Sequence, residues 1–250
     1  MNTAEQHQLL RDYNEKGFAV LENAFPRALA QACCELIWPL TGCEPDDPRT
    51  WREPVVRIAE MTQEPFVQAA NTERLHQAYD LLAGPGNWLP KQSLGSFPVR
   101  FPVEKPANDT GWHVDASFPG EDPFNYLNWR INHRSRGRAL LMLFLFTDTG
   151  ALDAPTLVRE GSHRDVAQLL QPHGEAGLSF MELAGLLDTL PERPVSAATG
   201  AAGTVYLCHP FLVHRAQDHK GSKPKVMAQP ALEFLEFLEF LELTAESRRV

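Results

Sequence analysis

The stretch Arg138-Ala139-Leu140-Leu141-Met142-Leu143-Phe144-Leu145-Phe146-Thr147 decides the fold. Leu140 to Phe146 are apolar without a break. A strand with one face in water alternates polar and apolar residues, so an unbroken run predicts a strand covered on both faces. Something must lie on each side of it, and the flanking sequence supplies both partners.

Upstream, Phe97, Val99, Phe101 and Val103 alternate along Ser96–Val103, which predicts a half-buried strand. Residues 112–118 and 126–133 read as two more strands, and 204–208, 212–216 and 225–232 as a further three. Residues 179–190 read as a helix between them. Many short strands between Gly and Pro turns predict a sandwich or jelly roll, mainly β. The first ninety residues supply the other cover. Residues 3–16, 27–36 and 65–82 carry helical spacing, with a short strand over 17–21 and a Pro/Asp/Gly loop over 41–54. The helices are expected to flank one of the sheets.

The 250 residues carry 23 Lys+Arg against 32 Asp+Glu, a net charge of −9 that argues against a nucleic-acid partner. No apolar run is long enough for a membrane span. The polar start MNTAEQHQLLRDYNEKGF has no signal-peptide core, which predicts a cytoplasmic location. Cys33, Cys34, Cys43 and Cys208 form no CxxC pair and read as reduced thiols. The tail Glu233–Leu243, EFLEFLEFLEL, has period 3. That matches neither a strand nor a helix, and no chemistry is assigned to it.

The chemistry concentrates in Asp109-Thr110-Gly111-Trp112-His113-Val114-Asp115. On a strand, His113 and Asp115 share a face roughly 7 Å apart, so both can reach one divalent ion. A third ligand from a distant strand would complete two histidines and one carboxylate, a facial set with open positions suited to non-haem Fe(II). His-x-Asp alone is a weak signal. Cys208-His209-Pro210-Phe211-Leu212-Val213-His214 offers His209 and His214. Pro210 breaks the strand between them. If a dicarboxylate cosubstrate binds, it needs a cation nearby. Eleven residues beyond His209 stands Lys220, in a turn, and eleven beyond His214 stands Lys225, at a strand start. Geometry favours His214 with Lys225.

His113-x-Asp115, Gly161-Ser162-His163, His214-Arg215-Ala216 and the basic Lys225, in this order, resemble the phytanoyl-CoA dioxygenase family of Fe(II)/2-oxoglutarate-dependent oxygenases. The resemblance extends over about residues 18–232. It implies a double-stranded β-helix (jelly roll, cupin-like) with flanking helices. The whole chain 1–250 would be one oxygenase domain, with a helical part over 1–93, a jelly-roll core over 94–232 and a low-complexity tail over 233–250. It implies iron held by His113, Asp115 and His214, with 2-oxoglutarate and O2 as cosubstrates. Lys225 would meet the distal carboxylate of 2-oxoglutarate, where the family more often has Arg, and a point charge replaces a bidentate fork. Ala216 stands where the family often has a hydroxyl, and Thr156 is the candidate substitute. Asp115 favours hydroxylation over halogenation, since halogenating relatives carry a small residue there.

Arg100, on the polar face of its strand, is a candidate for cosubstrate or substrate. Arg130, Arg134, Arg136 and Arg138 form a local basic patch, either a solvated turn or an anion clamp for substrate. Trp112 and Phe118 are candidate pocket residues, with core packing the competing reading. The expected function is hydroxylation of a small, anionic molecule with conversion of 2-oxoglutarate to succinate and CO2. A jelly-roll metal-binding protein without turnover, acting as a sensor or binding module, is the alternative. The residues do not identify the substrate or the oligomeric state.

Overall fold

The structure is a computed structural model that describes residues 1–135 and 137–235. The chain begins with helix α1 (Thr3–Lys16), strand β1 (Phe18–Leu21), helix α2 (Arg27–Thr41), strand β2 (Val55–Ile58), helices α3 (Glu64–Ala70) and α4 (Glu73–Ala83), and strand β3 (Phe97–Arg100). Strands β4 (Arg130–Ile131), β5 (Arg138–Leu145) and β6 (Leu157–Arg159) follow, then helix α5 (Ser162–Leu170), strand β7 (Leu178–Ser179) and helix α6 (Phe180–Leu186). The remaining strands are β8 (Val195–Ala197), β9 (Val205–Cys208), β10 (His214–Arg215), β11 (Met227–Ala228) and β12 (Ala231–Glu233).

Strand β5 is the spine. It pairs antiparallel with β9 on one edge and with β11 and β12 on the other, and β1 closes the far side of β9. Its side chains alternate between two apolar environments. Leu141, Leu143 and Leu145 pack with Val158, Leu212 and Met227, towards a second sheet of order β10–β6–β8. Leu140, Met142, Phe144 and Phe146 pack with Phe25, Ile37, Phe66 and Leu75 of the helical layer. Both faces of the run are therefore dry, as its sequence requires. A smaller cluster joins α5 and α6 to Val114, Ile131, Phe211 and Val213. The β2–β3 ribbon sits beside β11 through paired backbone bonds between Arg100 and Lys225, both 2.9 Å.

The helical layer starts on local signals. Asn2 caps α1 by accepting from the Glu5 N–H at 2.9 Å, and Gly17 ends it with φ of 84°. A Cβ at Gly17 would also sit 2.5 Å from the His163 ring, so a side chain is excluded on two grounds.

Several expected elements differ. The single helix over 65–82 is two helices, because the Thr72 hydroxyl caps a new start at Leu75 and the Asn71 amide donates to Val67 and Lys91 carbonyls. Helix α2 runs beyond residue 36 to Thr41, with Pro39 inside its last turn. Residues 112–118 keep the alternation of a strand, with Val114 and Ala116 buried, but join their neighbours only at two isolated bridges, from His113 and Phe118. The strand expected over 126–133 is a short 3-10 turn, Tyr126–Asn128, followed by β4. Strands β2, β6 and β8 and helix α5 carry too short a pattern to be read beforehand. The four thiols are free, and Cys33, Cys34 and Cys208 are buried. Of the EFL tail, Glu233 to Leu235 are described, and residues 236–250 lie outside the described residues. Among the described residues no helix is long and apolar enough to cross a membrane.

Truncating the spine tests this packing. Phe144→Ala removes a fully buried ring in contact with Phe25 and Phe146. It is expected to cost about 3–5 kcal/mol, read as a lowered midpoint in urea denaturation with the slope unchanged.

Candidate metal centre and its cavity

The backbone sets the two histidines face to face. His113 and His214 exchange N–H···O bonds of 2.9 Å in each direction, which places both side chains on one side of the bridge with ring centroids 4.4 Å apart. The Ser162 hydroxyl accepts from the Val213 N–H at 2.9 Å, tying the start of α5 to the strand that carries His214. The expected Gly161-Ser162-His163 turn is thus the first turn of a helix with a function in placing β10. Each Nδ1 faces the carbonyl two residues earlier, Gly111 for His113 and Leu212 for His214, both at 2.9 Å. With Nδ1 committed to a carbonyl, Nε2 of each ring is the atom offered to an ion.

Asp115 completes the group. Its Oδ1 lies 3.6 Å from His113 Nε2 and 3.7 Å from His214 Nε2. The three ligating atoms all fall within 4.8 Å of one another, a group able to hold a metal ion. Oδ2 accepts from Arg138 at 2.9 Å and from the Gln229 amide at 3.2 Å. Burial alone would push the Asp115 carboxyl up, but the buried Arg138 guanidinium and the two imidazoles hold it well below the usual carboxylate range. Burial and the neighbouring His214 ring keep His113 neutral to lower pH than an ordinary histidine. Two imidazole nitrogens and one carboxylate oxygen are the donor set that a mid-series divalent ion takes.

The group opens into a cavity of about 730 Å³. One wall is apolar, with Trp112, Tyr126, Leu127, Phe180 and Ala184, and Phe180 lies 5.5 Å from the His113 ring. The lining also carries Arg57, Arg100 and Asp109. Arg100 is nearly fully buried and grips Asp109 with two bonds of 3.1 and 2.8 Å, while Arg57 reaches the same carboxylate at 2.6 Å. Thr156 and Met227 line the inner part, with the Thr156 hydroxyl 3.7 Å from the Met227 sulfur. Lys225 stands beside Arg100, completely buried, and its Nζ donates to the Ala154 carbonyl at 2.6 Å. Burial, with the Arg100 guanidinium alongside, pulls the Lys225 ammonium down to about 7.

The structure brings together His113, Asp115 and His214, and places Arg100, Thr156 and Trp112 on the cavity wall. The Trp112 ring is flanked by the Arg159 and Arg215 guanidinium groups at 4.6 and 4.7 Å. It does not assemble the basic patch over 130–138. Arg130 donates to the Ala176 and Gly177 carbonyls, Arg134 faces Glu175 at 3.3 Å, and neither lines the cavity. Arg138 instead serves Asp115, and Arg136 lies outside the described residues. Phe118 is buried off the cavity wall, its backbone paired with Arg130. His209 is remote from the group and packs against Tyr13, His163 and Phe211. Gln229, Asp109, Arg57 and Phe180 are site residues that the sequence reading passed over. For Gln229 the signal existed, since Lys225, Met227 and Gln229 follow at two-residue spacing.

No family model matches the chain, and no curated protein sequence matches it. Solved structures do. The non-haem α-ketoglutarate-dependent epimerase SnoN from nogalamycin biosynthesis aligns with a TM-score of 0.64 and 15% identity over 93% of this chain and 84% of that one. HygX from Streptomyces hygroscopicus, solved with nickel and 2-oxoglutarate bound, aligns at 0.56 and 16% identity over 94% and 87%. EctD from S. alaskensis aligns at 0.55 and 19% identity over 94% and 76%. The chain therefore has the fold that these proteins share.

His209 gives a test of packing away from the centre. Burial, with the His163 ring nearby, pushes it down to about 4. The unfolded chain takes up a proton near pH 6.5 that the folded chain refuses, so stability falls as pH drops from about 6.5 towards 4, by up to about 3 kcal/mol from this group. His209→Gln should flatten that slope in urea melts taken across the range, while a slope equal to wild type would contradict the assignment.

Proposed function

We propose that this chain is an Fe(II)/2-oxoglutarate-dependent oxygenase of the phytanoyl-CoA dioxygenase type that hydroxylates a small molecule. The observation that carries the reading is the His113–Asp115–His214 group opening into a cavity whose lining includes Arg57 and Arg100. We read the two facing antiparallel sheets as the double-stranded β-helix of such enzymes, and the whole chain as one oxygenase domain. The neighbours support an α-ketoglutarate-dependent reaction in general, since they include an epimerase and a carbocyclase.

His113, Asp115 and His214 would hold the ferrous ion, one ligand atom each. When bound, the ion and 2-oxoglutarate supply the oxidising chemistry, with succinate and CO2 as by-products and O2 as oxidant. The protein's part is placement. Arg100 has its charge matched by Asp109, whereas the one hydrogen bond of Lys225 Nζ among the described residues goes to a neutral carbonyl. Lys225, buried beside Arg100 and not itself part of the cavity lining, would be the cation that meets the distal carboxylate, with Thr156 and Arg100 shaping the same end. The apolar wall of Trp112, Tyr126 and Phe180 holds the reacting carbon of the substrate near His113 and keeps water out. Arg57, at the mouth, suits an anionic group. Asp115 occupies the carboxylate position, so hydroxylation is favoured over halide transfer.

Anaerobic addition of Fe(II) and 2-oxoglutarate should give a visible charge-transfer band. The band should be lost in His113→Ala, Asp115→Ala and His214→Ala and kept in His209→Ala. Absence of the band in the wild-type protein sinks the reading. Succinate release in air separates an oxygenase from a binding module. Lys225 adds a signature in pH. A bound carboxylate favours charged Lys225, so 2-oxoglutarate affinity should fall about tenfold per pH unit above roughly pH 7. Lys225→Arg should abolish that dependence, because guanidinium stays charged. An unchanged pH profile in Lys225→Arg would remove Lys225 from this role.

A further inference from the structure

The Asp115 carboxylate is divided between two tasks. Oδ1 faces both imidazoles, and Oδ2 faces Arg138 and Gln229. Gln229 does more than complete this pattern. Its Nε2 lies 3.2 Å from Asp115 Oδ2 and 3.0 Å from His214 Nε2, so one amide group spans two residues of the metal-ligating group. The side chain comes from the residue following β11, two positions beyond cavity-lining Met227, and it lines the same cavity. An amide nitrogen donates only. It can satisfy both neighbours at once only when Oδ2 is ionised and His214 Nε2 carries a lone pair. The carbonyl of Leu212 at Nδ1 selects the same tautomer.

We propose that Gln229 is a positioning residue of the metal centre: with Arg138 it saturates Oδ2, so that Asp115 offers Oδ1 alone, and its amide keeps Asp115 and His214 facing one another. This rests on the oxygenase reading above. One-point attachment by Asp115 matters because two-point attachment would fill a position that the cosubstrate needs. Gln229 exchanges no proton in this role. When an ion enters, the amide gives up His214 Nε2 and retains Oδ2.

The test is Co(II) titration of the full-length protein, followed by calorimetry and by the visible absorption of the bound ion. Outer-shell partners of metal ligands are typically worth 10–100-fold in affinity. Gln229→Leu is therefore expected to weaken Co(II) by at least about tenfold, with the urea midpoint little changed. Gln229→Glu places a carboxylate where the amide approaches His214 Nε2. It is expected to act as a fourth ligand, bind Co(II) more tightly, alter the Co(II) spectrum and weaken the addition of 2-oxoglutarate. A Gln229→Leu protein that binds Co(II) as tightly as wild type, or more tightly, overturns the proposal. Should that variant fail to fold, a Gln229→Glu protein with wild-type affinity and spectrum overturns it equally. A wild-type protein that binds no divalent ion defeats the oxygenase reading itself, a result distinct from either variant outcome.

Discussion

The ion pair between Arg138 and Asp115 is the contact on which the arrangement of the centre depends. Arg138 opens β5, the strand whose two faces organise the two main cores, and its guanidinium reaches across to the irregular segment that carries His113 and Asp115. That segment has few ladder bonds of its own, and Arg138 also donates to its Ala116 carbonyl at 3.0 Å. Removing either charge would leave the other buried without its counter-charge, which typically costs about 3–5 kcal/mol. The His113–Asp115–His214 group is thus anchored to the buried spine, through the same strand that the apolar run defines.

How far the sequence reveals this differs by type of information. The spine was legible because a run of apolar residues can be satisfied in few ways, and its two-sided burial follows from composition alone. The helices α1 and α2 and the strands β1 and β9 were legible from periodicity. The split between α3 and α4 was not, because it depends on Thr72 and Asn71 finding backbone partners, including Lys91 far along the chain. The segment 112–118 alternates as a strand does yet forms only bridges. Alternation reports which face is buried, and it says nothing about whether neighbouring backbones come into register.

The site divides in the same way. His113 with Asp115 is a local spacing, and spacing is visible in one dimension. The choice of His214 over His209 drew on Pro210 and the position of Lys225, and the structure places His214 in the group and His209 outside it. Among the described residues, Arg130, Arg134 and Arg138 cluster in sequence without converging in space. In a short turn and strand, successive side chains leave in different directions, and Arg130, Arg134 and Arg138 each find a separate acceptor. Asp109 and Arg57 could not be assigned at all, since their meaning arises only when the Asp109 carboxylate folds between Arg57 and Arg100.

One feature of the cavity has an evolutionary consequence. Phe180 and Ala184 lie one turn apart on α6, a helix held at its start by the Ser179–Glu182 capping box and contributing no member of the metal-ligating group. This part of the cavity wall is thus borne by a different element from the His113, Asp115 and His214 side chains, and packing joins the two. Substitutions at Phe180 or Ala184 can remodel the wall while the ligating atoms stay in place. Selection acting on such a scaffold can reshape the cavity without moving the three grouped side chains, and the structural neighbours that share the fold include both an epimerase and a carbocyclase.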